Sequence, residues 1–413
     1  MFVHKCLCFV RRLLFGASVF LSFSRAEAAM ATQPVSDIEL IESVPVGTDL
    51  DSPSLGNAAE TWLSMIRGAK SSLSIAQFYV STKSNRRGKL EPVLRAIEDA
   101  GKRKVRVRFL VDAYFASKYP VEMGRIKKMA GVELRFSDWK GLTGGVHHAK
   151  YFVVDEEEAF IGSQNFDWRA LEHILELGVR VHSKSLSNEL LSVFNFDWIR
   201  AGRSEVGSSK LLTPWIKRPF GYKGREGEVQ LVASPRDHIP EGATWDLPKI
   251  LESIDGAKQH ITIQLLSYSI RNYDGSSWRR IHNALKAATS RGVKLRMIVA
   301  DWSKKDPKQA AVKALSRFRN TEVRFVKIPQ FSGGFIPYAR VVHAKFMVVD
   351  DDWSWLGTSN FSGDYFTKSR NVGLIIREME FAKELLRFFQ KGWDMVGSEK
   401  VVAQRHYLPP RVH

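Results

Sequence analysis

The sequence predicts an α/β protein of two tandem homologous halves, about 38–215 and 216–413, each a mostly parallel sheet with helices on both faces. Two observations carry this. Within each half, apolar runs of five to eight residues alternate with amphipathic helical patterns, as at 71–80, 88–101, 104–111, 120–131 and 132–136, the spacing of βαβ units. The chain also matches itself at an offset near 190, the mark of an internal duplication. Right-handed crossovers follow for such units, and ligand sites are expected off the carboxyl ends of their strands.

In chain order, residues 1–28 read as a secretory signal: a basic start (Lys5, Arg11, Arg12), the apolar stretch Leu13 to Phe23, and Ala26-Glu27-Ala28 for cleavage. The apolar stretch is shorter than the roughly 20 residues a spanning helix needs, so no stable membrane span is expected after cleavage. Cys6 and Cys8 are the only cysteines, and both lie in this segment. The mature chain is therefore expected to lack disulfides and thiolate metal sites, which points to a periplasmic or secreted protein of bacterial rather than eukaryotic type.

The repeat follows. Gly68-Ala69-Lys70 recurs as Gly256-Ala257-Lys258, Val105–Val111 as Val293–Val299, and Leu134-Arg135-Phe136 as Val323-Arg324-Phe325, with offsets of 188 or 189. His148-Ala149-Lys150 matches His343-Ala344-Lys345, and Gly178 matches Gly373, both at 195. Insertions are thus confined to loops, and the stretch around Pro214 and Pro219 joins the halves.

Composition bounds the function. With 44% hydrophobic and 26% charged residues, global disorder, collagen and a multi-span membrane protein are excluded. The formal charge is +18, and removing residues 1–28 takes away four of 62 basic and one of 44 acidic residues. The basicity belongs to the mature chain and favours a polyanionic partner, nucleic acid or an anionic membrane surface.

The chemistry lies in a spaced set that occurs twice: His148, Lys150, Asp155, Gly162, Ser163, Asn165 and His343, Lys345, Asp350, Gly357, Thr358, Asn360. Residues i and i+2 of a strand share a face, so each His projects with its Lys. The lysines, Ser163, Asn165, Thr358 and Asn360 form an expected donor cage for phosphodiester oxygens. Asp155 and Asp350 fall on the other face and are expected to orient partners. Cleavage through a covalent intermediate needs one neutral imidazole to attack phosphorus and one protonated imidazole to release the alkoxide, and the duplication supplies both. Neither a metal nor another cofactor is expected. His147 faces away from His148, lacks a counterpart in the repeat, and is expected to be a satisfied or exposed non-catalytic residue.

These residues resemble the phospholipase D superfamily over nearly the whole mature chain. The resemblance is closest to the branch of lysosomal single-strand 5′ exonucleases and poxvirus envelope relatives, through Leu40–Pro45, Gly162–Arg169, Ile336–Arg340 and Gly357–Phe366. It implies a monomer of two phospholipase D-like domains about a pseudo-twofold axis, a metal-free site, His148 as nucleophile and His343 as acid. A Glu follows each motif in many members. Here Glu176 occupies that place in the first half and Asn371 replaces it in the second, so the histidines are expected to differ in basicity. Single-stranded nucleic acid is the expected substrate, with Phe78, Tyr79, Trp168, Tyr268 and Phe361 as stacking candidates. Phospholipid, as for a phospholipase D or phosphatidyltransferase, is the alternative, and a non-catalytic polyanion-binding module is disfavoured by the intact double motif.

Overall fold

The computed structural model describes residues 37–85, 87–202 and 215–413. The expected signal segment, both cysteines and Pro214 lie outside the described residues.

The strands of residues 38–181 are β1 (Ile38–Ser43), β2 (Gly56–Asn57), β3 (Ser72–Gln77), β4 (Val80–Ser81), β5 (Arg106–Asp112), β6 (Val132–Ser137), β7 (Tyr151–Val154), β8 (Glu158–Gly162), β9 (Phe166–Asp167) and β10 (Glu176–Val181). Eight of them form one sheet in the order β2-β1-β10-β8-β7-β3-β5-β6, and β4 pairs with β9. The later strands are β11 (Arg218–Tyr222), β12 (Arg225–Ser234), β13 (His260–Leu265), β14 (Lys294–Ala300), β15 (Thr321–Val326), β16 (Phe346–Val349), β17 (Trp353–Gly357), β18 (Asn371–Arg377) and β19 (Ser398–Lys400). They form a second sheet in the order β11-β12-β18-β17-β16-β13-β14-β15-β19.

The α/β class holds, but the sheets are mixed where the alternation predicts mostly parallel ones. Strands β3, β5 and β6 run parallel, as do β13, β14 and β15. The ladders β3–β7, β7–β8, β8–β10 and β10–β1 are antiparallel, and so are β13–β16, β16–β17 and β17–β18. Helical crossovers return the chain in the same sense within these parallel triplets, whereas β7–β8 and β16–β17 are tight hairpins. Asp155 and Glu156 in one, Asp350 and Asp351 in the other, have positive φ, a conformation that Asp tolerates better than most residues.

Helix termini follow local sequence signals. Asn57 caps helix Ala58–Gly68 by accepting from the Ala59 and Glu60 amides, Ser183 caps Lys184–Ala201 through the Leu186 amide, and Glu378 caps Met379–Asp394 through the Phe381 amide. The last two helices supply Leu186, Leu190, Phe194, Phe381, Leu385 and Phe388 to a core that also takes Leu40, Val179, Leu231 and Leu374 from both sheets. The halves therefore share one interior. Among the described residues no helix is long and apolar enough to cross a membrane.

An approximate twofold relation appears in the backbone. His147 bridges Arg370 and Leu175 bridges Val342, and an offset of 195 exchanges the two bridges. His148 N–H donates to Arg370 O at 2.9 Å and His343 N–H to Leu175 O at 2.8 Å. The side chains break the symmetry. Arg370, fully buried, makes a two-point pair with Asp197 at 2.8 and 2.9 Å and donates to Ser234 O and His238 O, while the equivalents of His147, Asp197 and Arg370 are Val342, Gly392 and Leu175. His147 is thus neither exposed nor satisfied as expected. Among the described residues its buried ring nitrogens have no hydrogen-bond partner, Asp197 lying 3.9 Å away.

Removing one partner of this pair strands the other's charge, whereas an apolar pair leaves none. Asp197→Ala should lower unfolding free energy by about 3–5 kcal/mol, and Asp197→Ala with Arg370→Leu should recover most of it. Urea denaturation measures both, and a single-variant loss under about 1 kcal/mol would contradict the assignment.

Candidate active site

The backbone bridges bring both motifs to one place. His148 and His343 are 6% and 9% exposed, and Lys150 and Lys345 are fully buried. Each ammonium donates to the carbonyl of its own motif's histidine. The motif glycines serve strand packing: Gly162 pairs with Gly178 and Gly357 with Gly373. A Cβ on Gly178 would stand 2.6 Å from the Phe160 ring, and one on Gly357 2.7 Å from Trp355.

The imidazoles are capped crosswise. His148 Nδ1 meets Asn371 Oδ1 at 3.1 Å, and His343 Nδ1 meets Glu176 Oε2 at 2.7 Å. Each cap comes from the other half, so the residue after a motif serves the opposite histidine. The Asn371 amide is oriented by its surroundings: Nδ2 donates to Tyr365 O at 2.8 Å and Ser369 O at 3.3 Å, and Oδ1 also accepts from Thr358 Oγ1 at 2.9 Å. With an acceptor facing it, His148 carries its hydrogen on Nδ1 when neutral and presents a bare Nε2.

Electrostatics separates the rings further. Burial, then Lys150, Lys345 and His343, holds His148 well below the ordinary imidazole range. Burial pushes Glu176 up to about 8 against the pull of Lys345, and burial with Lys345 and Lys150 pushes His343 down. Both members of that pair are driven towards neutrality, the form in which the carboxyl donates its proton to Nδ1. The imidazole hydrogen is then on Nε2, where it is a donor. Burial lowers Lys345 to about 7 and Lys150 well below its usual range. One imidazole thus offers a bare Nε2 and the other an Nε2–H.

Several expected roles change. Ser163 and Thr358, assigned to the phosphate cage, are turned into the sheet. Ser163 Oγ donates to Leu177 O at 3.1 Å and accepts from Leu177 N at 3.0 Å. Thr358 Oγ1 accepts from Val372 N at 3.2 Å besides holding Asn371. Asn360 Oδ1 accepts from Ser267 N at 3.2 Å, leaving buried Nδ2 as a donor with no partner among the described residues. Asn165 is buried too, and its Oδ1 has no such partner.

Asp155 accepts from the Lys70, Ser71 and Ser72 amides at 2.7–2.8 Å, and Asp350 from those of Lys258, Gln259 and His260 at 2.8–3.0 Å. Each lies seven residues beyond its histidine, about 20 Å away along an extended strand. They orient the start of β3 and β13 and touch neither imidazole. The Asp of the motif is thus a folding residue.

Of the stacking candidates, Tyr268 and Phe361 are core, and Tyr79 bonds Asp167 through its hydroxyl at 2.8 Å. Phe78 packs on His148, with ring centroids 5.0 Å apart. Tyr365, which sequence reasoning missed, contacts His148 from another side, also at 5.0 Å. Its only sequence signal is its place in the stretch Gly357–Phe366. Among the described residues no three His, Cys, Asp or Glu side chains are placed to hold a metal ion.

Residues 62–198 and 250–393 each match the family described as cardiolipin synthase, PLD-like domain. The chain is 30% identical over 391 residues to human 5′-3′ exonuclease PLD3, covering 86% of this chain and 79% of that protein. It is 30% identical over 388 residues to Dictyostelium discoideum phospholipase D Z, covering 86% and 89%. Among solved structures, the phosphatidylserine synthase of Haemophilus influenzae Rd KW20 shares the fold, with a TM-score of 0.59, 12% identity, and coverage of 83% of this chain and 85% of that one.

The directions of the shifts set a pH profile. Lys345 loses its charge as pH rises through about 7, and Glu176 its proton through about 8, while His148 stays unprotonated well into the acid range. The kcat/KM for a phosphodiester, which reports the free enzyme, should therefore fall as pH rises from 7 to 9. A rate that climbs over that interval would contradict the assignment.

Proposed function

Since the chain belongs to the phospholipase D superfamily, we propose that it is an exported, metal-independent phosphodiesterase that forms a phosphohistidine on His148 and degrades single-stranded nucleic acid from an end. The observation that carries the mechanism is the crosswise capping of the two imidazoles. In the first step the Nε2 lone pair of His148 bonds to phosphorus, the bond from phosphorus to the leaving oxygen breaks, and that oxygen takes the Nε2 proton of His343. As that proton leaves, the Glu176 carboxyl proton passes to Nδ1 of His343, so the ring stays neutral and the negative charge rests on the carboxylate until the second step returns the proton. In the second step His343 removes a proton from water, the oxygen bonds to phosphorus, and the phosphorus–nitrogen bond breaks. Lys150, Lys345 and the free amide hydrogens of Asn360 are the donors we assign to the phosphoryl oxygens.

A nucleic acid substrate is supported by the +18 charge and by the name of the human relative, a 5′-3′ exonuclease, and the signal-like residues 1–28 support export. A lipid substrate is the second reading, supported by the name of the Dictyostelium relative. Purified protein should shorten end-labelled single-stranded oligonucleotides progressively from one end, with excess EDTA present, and with a rate that drops steeply as salt rises. Loss of activity in EDTA with recovery on adding Mg²⁺ or Zn²⁺ would overturn the mechanism. Turnover of phosphatidylcholine without nucleolytic activity would assign the enzyme to lipid.

A further inference from the structure

The reaction above makes no use of the aromatic side chains that wall His148. Half-buried Phe78 and Tyr365 flank the imidazole, and Phe115 lies on Phe78 with centroids 4.0 Å apart. Beyond Phe115 stands Tyr114, 40% exposed, with Lys118 Nζ 4.4 Å and Lys140 Nζ 4.1 Å from its ring centroid. The wall is one-sided. The repeat puts Leu266, Ser303 and Ala170 at the positions of Phe78, Phe115 and Tyr365, and among the described residues no aromatic ring packs on His343. Duplication of the fold would have preserved such a wall on both sides if it served packing alone.

We propose that this wall receives the base of the nucleoside that remains on phosphorus when His148 is phosphorylated, so that base recognition lies on the nucleophile's side of the scissile bond. The inference rests on the phosphohistidine reading. In that reading the retained group stays beside His148 while the leaving alcohol departs towards His343, where no ring waits for it. Every base has a π face, so stacking there is tolerant of sequence. The ammonium groups of Lys118 and Lys140 at the outer end suit a phosphate on the far side of that nucleoside, and an acyl chain would leave them facing hydrocarbon.

The test compares the 3′- and 5′-(p-nitrophenyl phosphate) esters of thymidine with methyl p-nitrophenyl phosphate, since the retained nucleoside can be held through either oxygen. In each, phosphorus bonds to His148, the bond to p-nitrophenolate breaks, and water then frees the phosphate ester, so only the retained group differs. Wild-type protein should favour one of the thymidine esters over the methyl ester at least tenfold in kcat/KM. Phe115→Leu and Tyr365→Leu, checked for unchanged melting, should each cut that ratio at least threefold, chiefly through KM. Wild-type ratios near one for both thymidine esters, or ratios unmoved in both variants, would overturn the base site and leave the phosphodiesterase reading standing. Hydrolysis of none of the three would overturn that reading and the base site with it.

Discussion

The hydrogen bonds from each imidazole to a side chain of the other half are the constraint on which the rest of the structure depends. Neither half completes its own site. Asn371 begins β18 of the second sheet and caps His148, and Glu176 begins β10 of the first and caps His343. Bonds of 3.1 and 2.7 Å leave little room for the halves to slide, because a hydrogen bond weakens steeply with distance and angle. The shared core between the sheets, the exchanged backbone bridges and the buried Arg370–Asp197 pair are the means by which that register is held. The ion pair stands on the His148 side only, which fits the use of buried charge to specify one arrangement rather than to add stability.

The same burial that surrounds the rings works against the charge of the two lysines. Both lysines and both imidazoles are buried, and repulsion from Lys345 adds to desolvation in pulling Lys150 down. A phosphodiester anion relieves this, since its negative charge favours the protonated lysines that would bind it. Preorganisation of this kind is set when the chain folds and needs no rearrangement at the moment of reaction. The difference between an amide and a carboxyl cap then divides the labour. An amide oxygen fixes a tautomer without adding charge, while a carboxyl sharing a proton with its imidazole can follow that ring through gain and loss of a proton.

Much of this was legible in the residues. The duplication, the α/β class and the pairing of His148 with Lys150 and of His343 with Lys345 follow from periodicity and spacing, because strand geometry ties sequence distance to side-chain direction. The sense of the strands was less legible, since a run of apolar residues looks alike whether a hairpin or a helix precedes it. The hydroxyls show a related effect. Ser163 and Thr358 sit beside the histidines in sequence, yet each has a backbone amide and carbonyl within reach, and a buried hydroxyl takes such partners. Asp155 and Asp350 belong to the motif through the turn they permit and the amides they cap. The crossing of Glu176 and Asn371 to opposite histidines was hidden because sequence order assigns each to the nearer motif, and only the packing of the two halves reverses the assignment.

If the two histidines have fixed and different tasks, a trapped covalent intermediate will form on one of them and not on the other. A p-nitrophenyl phosphodiester needs little acid help to lose its leaving group but still needs a base to admit water. Mixed with this substrate, His343→Asn should release about one equivalent of nitrophenol per enzyme and then stall, an expectation that follows from the two-step scheme. His148→Asn should show no such burst. Peptide mass spectrometry of the stalled His343→Asn protein should find the acid-labile phosphoryl adduct on the peptide that contains His148. A burst from His148→Asn, with the adduct on the peptide containing His343, would contradict the account.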